Sequence, residues 1–203
     1  MTTDTINTFS KSPLTGKEYE IPIILDDKAG IDAFLVLHPG KKVVVVQGLG
    51  FVGSVMGLVV ANALTEEYAV IGIDLPTAAS YWKIRSINEG VFPVIASDPK
   101  IELYYRNAQK KKNYYATYDA YAYSRAAVVV VDINLDVKKQ SSAKNDPGDY
   151  SVDLAPFKKA IEAIGNNCKE DVLVLVETTV PPGTSQKIVR PILEECLTKR
   201  GLR

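Results

Sequence analysis

Among 203 residues there are only two cysteines, one histidine and one tryptophan, and there is no net charge. Cys168 and Cys196 lie in polar stretches without metal-like spacing, which excludes a disulfide scaffold and reads as two reduced thiols of a cytoplasmic protein. A single histidine lacks the partners a zinc site needs, so no metal is expected, and His38 before Pro39-Gly40 reads as a surface turn residue. Lys and Arg number 24 and Asp and Glu number 24, which removes the basic excess of a nucleic-acid binder. Lys110–Lys112 with Tyr114 and Tyr115 mixes basic and aromatic residues over too narrow a surface and reads as a solvated helix end. The longest apolar runs, Val43–Val46 and Ala126–Val131, are far too short to span a bilayer, and the N-terminus shows no basic-then-apolar secretory pattern. What is present is 46% hydrophobic and 24% charged residues, a composition that can bury one sizeable core.

Residues 1–41 read as an N-terminal extension. Ser12–Lys17 is turn-rich, Ile21–Leu25 could form an edge strand and Ala33–Leu37 another short element. From Lys42 the pattern becomes regular. Val43–Val46 reads as a strand, 51–64 as a helix with apolar residues at helical spacing, and Ala69–Asp74 as a second strand ending in an acid. Residues 81–89 and 98–112 read as helices, Tyr114–Thr117 as a weak strand and Ala127–Val131 as a strand covered on both faces. Ser141–Tyr150 reads as a polar loop and Val152–Ile164 as a helix capped by Gly165. Val172–Val176 reads as a buried strand, and Pro181–Thr184 as the turn into a final helix reaching about Leu197. Strands alternating with helices predict a Rossmann-type, doubly wound α/β fold with a mainly parallel sheet over residues 42–203, without internal repeat or linker.

Gly48, Gly50 and Gly53 stand between a predicted strand and a predicted helix. Such a Gly-x-Gly-x-x-Gly turn lets backbone approach a pyrophosphate and aims a helix N-terminus at its charge. Asp74, 21 residues after Gly53, sits where a carboxylate accepts hydrogen bonds from ribose hydroxyls and repels a 2′-phosphate, which favours NAD over NADP. The competing reading is a glycine turn in an ordinary α/β protein. Glu177–Thr184 follows a strand and is equally open to a ligand role or to local capping. Asp132–Asp136 ends another central strand; its acids line the same crevice or are simply polar residues at a solvated strand end, the latter being favoured.

Together these segments resemble the N-terminal, NAD-binding domain of the UDP-glucose/GDP-mannose dehydrogenases, the nucleotide-sugar 6-dehydrogenases. The resemblance rests on Gly48–Gly53, Gly72-Ile73-Asp74, Lys83–Gly90 with Pro93-Val94, Ala116–Asp119 and Glu177–Thr184, in family order over about four-fifths of the chain. It implies a four-electron oxidation of a sugar 6-hydroxyl to a carboxylate with two NAD, through an enzyme-bound thioester, in the service of polysaccharide biosynthesis. It further implies that Gly48, Gly50 and Gly53 hold the pyrophosphate, with Phe51 and Val52 in the same cofactor-binding turn. Asp74 is assigned the adenosine ribose, Lys83 the adenosine end, Ile133 and Asn134 the loop bordering the cofactor, and Thr178 and Thr179 the nicotinamide. Thr179 matches a threonine that positions a catalytic water.

Two departures accompany the resemblance. Leu135-Asp136 stands where the family has Thr-Pro, and neither cysteine resembles the family's catalytic cysteine motif, which lies beyond the matched region along with its catalytic lysine and asparagine. The expectation is therefore a module that binds NAD but does not complete oxidation of a UDP- or GDP-sugar by itself. Its oligomeric state is open between a homo-oligomer and a monomer. A non-catalytic binding homologue and an unrelated Rossmann-like enzyme such as a methyltransferase are the alternatives, the latter disfavoured by Thr179–Thr184.

Overall fold

The structure is a computed structural model that describes residues 8–135, 137–139 and 150–202. The chain runs through a hairpin, β1 (Phe9–Lys11) and β2 (Glu18–Glu20), into helix α1 (Lys28–Val36). Then follow β3 (Lys42–Gln47), α2 (Phe51–Ala61), β4 (Tyr68–Ile73), α3 (Tyr81–Asn88), α4 (Pro99–Lys111) and β5 (Tyr114–Thr117). A short α5 (Tyr121–Arg125) leads to β6 (Val128–Val131), a small antiparallel pair β7 (Val137–Lys139) and β8 (Tyr150–Val152), and α6 (Ala155–Asn167). The last elements are β9 (Leu173–Val176), a wide helical turn at Ser185–Val189 and α7 (Arg190–Lys199).

Five strands form one parallel sheet in the order β5-β4-β3-β6-β9. The chain winds outward from β3 to β5, then returns to β6 on the other side of β3. The crevice of such a sheet lies where the winding reverses, beyond the carboxyl ends of β3 and β6. The valine run of β3 explains itself here. Val43 and Val45 pack on the α5, α6 side with Phe157, Ile161 and Ile164, while Val44 and Val46 pack on the α2, α4 side with Leu58 and Ala108. Both faces are covered, so alternation disappears from the sequence. α4 starts where its sequence predicts: Pro99 occupies the first turn and the Asp98 side chain accepts from the Lys100 N–H at 2.9 Å.

Several expectations need correction. Ile21–Leu25 is not a strand: Pro22 has no N–H to pair, and Ile23 and Ile24 are 94% and 77% exposed; the hairpin forms upstream instead. His38 is buried rather than superficial. Its Nε2 lies 2.7 Å from the Lys112 carbonyl, and its ring meets Phe34 edge-on. Residue 152 belongs to β8, and α6 begins at Ala155. Gly165 is not a cap but an interior residue of α6, where a Cβ would sit 2.7 Å from the Cβ of Cys196; glycine is needed for α7 to approach. Cys168 and Cys196 are both buried. β9 is an edge strand covered on one face only, with Val174 and Val176 packed and Leu173 and Leu175 half exposed. Of the expected loop Ser141–Tyr150, residues 141–149 lie outside the described residues and Tyr150 begins β8.

The N-terminal hairpin grips α3 at both ends. At the helix start, Ser10 Oγ accepts from the Trp82 N–H at 2.9 Å and donates to the Ala78 carbonyl at 2.7 Å, fully buried. At the helix end, Lys17 and Tyr19 donate to Glu89 Oε2 at 2.6 and 3.1 Å, and Arg85 donates to Glu89 Oε1 at 2.9 Å. Further along, Asp27 Oδ2 accepts from Tyr115 and Thr117 at 2.9 and 2.6 Å, tying the segment to β5.

Ser10→Ala leaves a helix N–H and a buried carbonyl without their partner and should lower unfolding free energy by about 1–2 kcal/mol in urea melts. The Lys17 and Arg85 cations with the Tyr19 hydroxyl hold the Glu89 carboxyl down from 4.5 to about 2. Because the folded value is depressed, this clamp stabilises the protein above pH 4.5 and is lost as pH falls from 4.5 toward 2. Glu89→Gln should therefore lower the urea midpoint at neutral pH, with the difference from the parent shrinking across that acid range.

Candidate functional site

The turn after β3 is built by close backbone contacts. Gly48 has φ +103°, and a Cβ there would run into the Asp132 carbonyl oxygen. A Cβ on Gly53 would meet the Gly48 carbonyl, so α2 can pack this tightly on the turn only with glycine. Gly50 differs: its φ is −71° and a Cβ there would meet nothing within 4 Å. The space in front of Gly50 is a cradle that a side chain would fill. Gly50 is also the N-cap of α2, and no side chain caps that helix. Its first-turn N–H groups point into the cradle with the positive end of the helix dipole behind them.

Asp74 follows β4 and stands beside this turn. Its Oδ2 accepts from the Leu49 N–H at 3.2 Å and from Lys83 Nζ at 3.1 Å, and its Oδ1 accepts from the Leu75 N–H at 2.8 Å. Both members of the Asp74–Lys83 pair are largely shielded, at 13% and 22% side-chain exposure, which strengthens their attraction relative to a surface pair. Lys83 comes from α3, the helix that the N-terminal hairpin clamps.

A cleft of about 710 Å³ opens over this arrangement, a size suited to a nucleotide cofactor. Gly48, Gly50, Asp74, Lys83, Ile133 and Asn134 line it, so six of the sequence-predicted residues converge. Gly53 sits behind the turn as packing, and Phe51 and Val52 are 60% and 55% exposed on the first turn of α2. Thr178 is buried with its hydroxyl engaged: it accepts from the Ile133 N–H at 2.8 Å and donates to the Val131 carbonyl at 3.2 Å. It thereby holds the Ile133–Asn134 loop in place. Thr179 is exposed and does not line the cleft. Thr184 turns back on the Pro181 carbonyl at 2.7 Å, which is local capping.

The far wall escaped sequence reasoning. Ala155, Pro156, Lys159, Ala160 and Ala163 of α6 line the cleft, and an alanine stripe on a helix gives no signal beyond ordinary packing. Tyr118 and Ser80 close the α3 side. Asp132 lines the floor; burial and the nearby Glu177 carboxylate push its carboxyl above the usual range. A second hollow of about 610 Å³ runs along Tyr114 and Tyr115 at the start of β5, at the opposite end from the carboxyl-terminal crevice. No group of three or more metal-ligating side chains occurs among the described residues.

A sequence model of the UDP-glucose/GDP-mannose dehydrogenase family, NAD binding domain, matches residues 41–202. The chain belongs to this family. Among its relatives is a GDP-mannose 6-dehydrogenase of Pseudomonas aeruginosa, 30% identical over 76% of this chain and 32% of that protein. Another is a UDP-N-acetyl-D-mannosamine dehydrogenase of Pyrococcus horikoshii, 27% identical over 79% of this chain and 33% of that one. The chain thus spans about a third of the length of the curated relatives it matches. A crystal structure of a GDP-mannose dehydrogenase ternary complex from the same Pseudomonas superposes with TM-score 0.61 at 25% identity, covering 75% of this chain and 32% of that one. An NDP-N-acetyl-D-galactosaminuronic acid dehydrogenase from Methanosarcina mazei shares the fold with TM-score 0.66 at 24% identity, over 81% of this chain and 33% of that one. The cofactor of this domain is NAD, and the uncapped α2 N-terminus, the open cradle at Gly50 and the carboxylate of Asp74 fit it.

Two glycine substitutions separate architecture from binding. Gly48→Ala forces a side chain into backbone at a positive φ and should destabilise the protein by about 2–4 kcal/mol in chemical melts. Gly50→Ala places its methyl in open space, so its stability should stay within about 0.5 kcal/mol of the parent while NAD affinity falls.

Proposed function

We propose that the cleft binds NAD across the winding reversal, as the cofactor half of a nucleotide-sugar 6-dehydrogenase that oxidises a UDP- or GDP-linked sugar to the uronic acid. The observation that carries the reading is Asp74, a shielded carboxylate joined to the turn through Leu49 N–H and to Lys83. In this reading Gly48, Gly50 and Gly53, with Phe51 and Val52 on the same turn, hold the pyrophosphate at the α2 N-terminus. Asp74 accepts the adenosine ribose hydroxyls, Lys83 fixes the carboxylate, and Tyr118 borders the adenosine end. Ile133 and Asn134 border the cofactor on a loop that Thr178 anchors, and Thr179, outside the cleft, takes part only where the substrate-bearing remainder of the enzyme closes over it. NAD supplies a hydride acceptor.

The division of labour follows from the thiols. Burial pushes both Cys168 and Cys196 up, and both are enclosed by α6 and α7 away from the cleft, so neither offers the activated thiolate a thioester requires. Residues 42–203 act as the cofactor domain, and residues 1–41 are an extension whose described part, through Ser10, Lys17 and Tyr19, braces α3. The two free thiols accord with work in the cytoplasm. A second reading is a non-catalytic, degenerate NAD-binding homologue kept for binding or regulation; Leu135-Asp136 in place of the family's Thr-Pro is a departure in the cofactor loop that a divergent subfamily would also carry.

Calorimetry of the chain with NAD should give one site, with Asp74→Ala at least tenfold weaker, since a charge-assisted hydrogen bond contributes about 1.5–3 kcal/mol. NADP should bind more weakly than NAD. No binding at millimolar NAD would overturn the reading. Turnover with a panel of UDP- and GDP-sugars separates the module from a self-sufficient enzyme: sustained NADH formation by this chain alone contradicts the division of labour.

A further inference from the structure

Among the groups in the cleft that the dinucleotide reading leaves unused is the carboxyl of Asp132. This residue follows β6 and lines the cleft with Gly48 and Gly50. Its Cβ stands 3.4 Å from where a side chain on Gly53 would begin, so the side chain starts against the first turn of α2. Its Oδ2 is buried and has no hydrogen-bond partner among the described residues. An ionised carboxylate in that state is costly.

Apart from the positive end of the α2 dipole, the surroundings offer it little relief. The turn and α2, residues 47–61, carry no charged side chain, and β6 and β9 are wholly apolar. The first residue past β9 is Glu177, a second negative charge. Across the cleft stand Asp153 and Lys159 from the α6 side, and Asp74 with Lys83, which are joined to each other at 3.1 Å. Tyr123 of α5 donates its hydroxyl to Gln47. A pyrophosphate seated at the α2 N-terminus brings more negative charge to the same turn. Two anions cannot share that cradle cheaply, whereas a neutral carboxyl can donate to a phosphate oxygen.

We propose that Asp132 makes dinucleotide binding proton-linked: in the complex its carboxyl keeps a proton taken from solvent and, through that O–H, donates a hydrogen bond to a phosphate oxygen, and on release of the dinucleotide the proton returns to solvent. The inference rests on the cleft being the NAD site. Its consequence is that affinity declines with rising pH, by up to about tenfold per pH unit once the free protein's Asp132 is ionised. Asn at this position supplies a neutral donor of the same shape without needing a proton.

The test is calorimetry of the full chain with NAD from about pH 5.5 to about pH 8, in buffers of differing ionisation heat, for the parent, Asp132→Asn and Glu177→Gln. The parent should take up a proton on binding and lose affinity as pH rises. Asp132→Asn should show a flat profile and bind roughly tenfold or more tightly than the parent at the alkaline end. Glu177→Gln should move the parent's profile to lower pH, because one repulsive charge is gone. A parent that binds NAD with flat affinity and no proton uptake, or an Asp132→Asn variant that keeps the parent's slope, overturns the inference while the NAD site stands. If no form binds NAD at any pH, the site reading fails and takes the inference with it.

Discussion

The structure depends on one close approach, between the glycine turn after β3 and the backbone at the end of β6. Gly48 abuts the Asp132 carbonyl, and Gly53 abuts the Gly48 carbonyl. With any side chain at either position, α2 could not lie this close to the sheet, and its N-terminus would not open onto the crevice. That single constraint fixes the cradle at Gly50, brings Leu49 N–H to Asp74 and sets the distance between the two halves of the cleft. The valine strands on either side supply rigidity: both faces of β3 are packed, so the turn is carried on the least deformable part of the molecule.

A second layer of support comes from outside the region that matches the family. The match begins at residue 41, yet Ser10, Lys17 and Tyr19 hold both ends of α3, and α3 carries Lys83 to Asp74. The N-terminal hairpin thus acts on the Asp74–Lys83 side of the cleft through a helix it braces. Asp27 performs a similar task for β5. These contacts are long-range in sequence, which ties the order of the cleft to the cooperative stability of the whole chain.

Much of this was legible in the sequence because the physics is local. A strand, three glycines and a helix in succession define the turn, and an acid at the end of the next strand defines Asp74. The rest was not legible because it depends on tertiary placement. His38 reads as a turn residue until α1 brings it to the Lys112 carbonyl, and Gly165 reads as a cap until α7 arrives against it. Thr178 and Thr179 look like an equivalent pair of hydroxyls, but the chain leaving β9 buries one against the Ile133 loop and leaves the other exposed. The alanine wall of α6 has no signature at all, since small residues mark room for a ligand only when the opposite wall is known. Asp132 was visible as an acid at a strand end, but its buried, unpartnered Oδ2 was not.

The most direct test of the account is to map NAD onto the backbone by amide chemical shifts, titrating the ¹⁵N-labelled chain. The account predicts saturable shifts concentrated at 48–54, 74–83 and 132–134, with the Tyr114–Tyr115 hollow unaffected. Shifts centred on that hollow, or no saturable shifts at millimolar NAD, would contradict it.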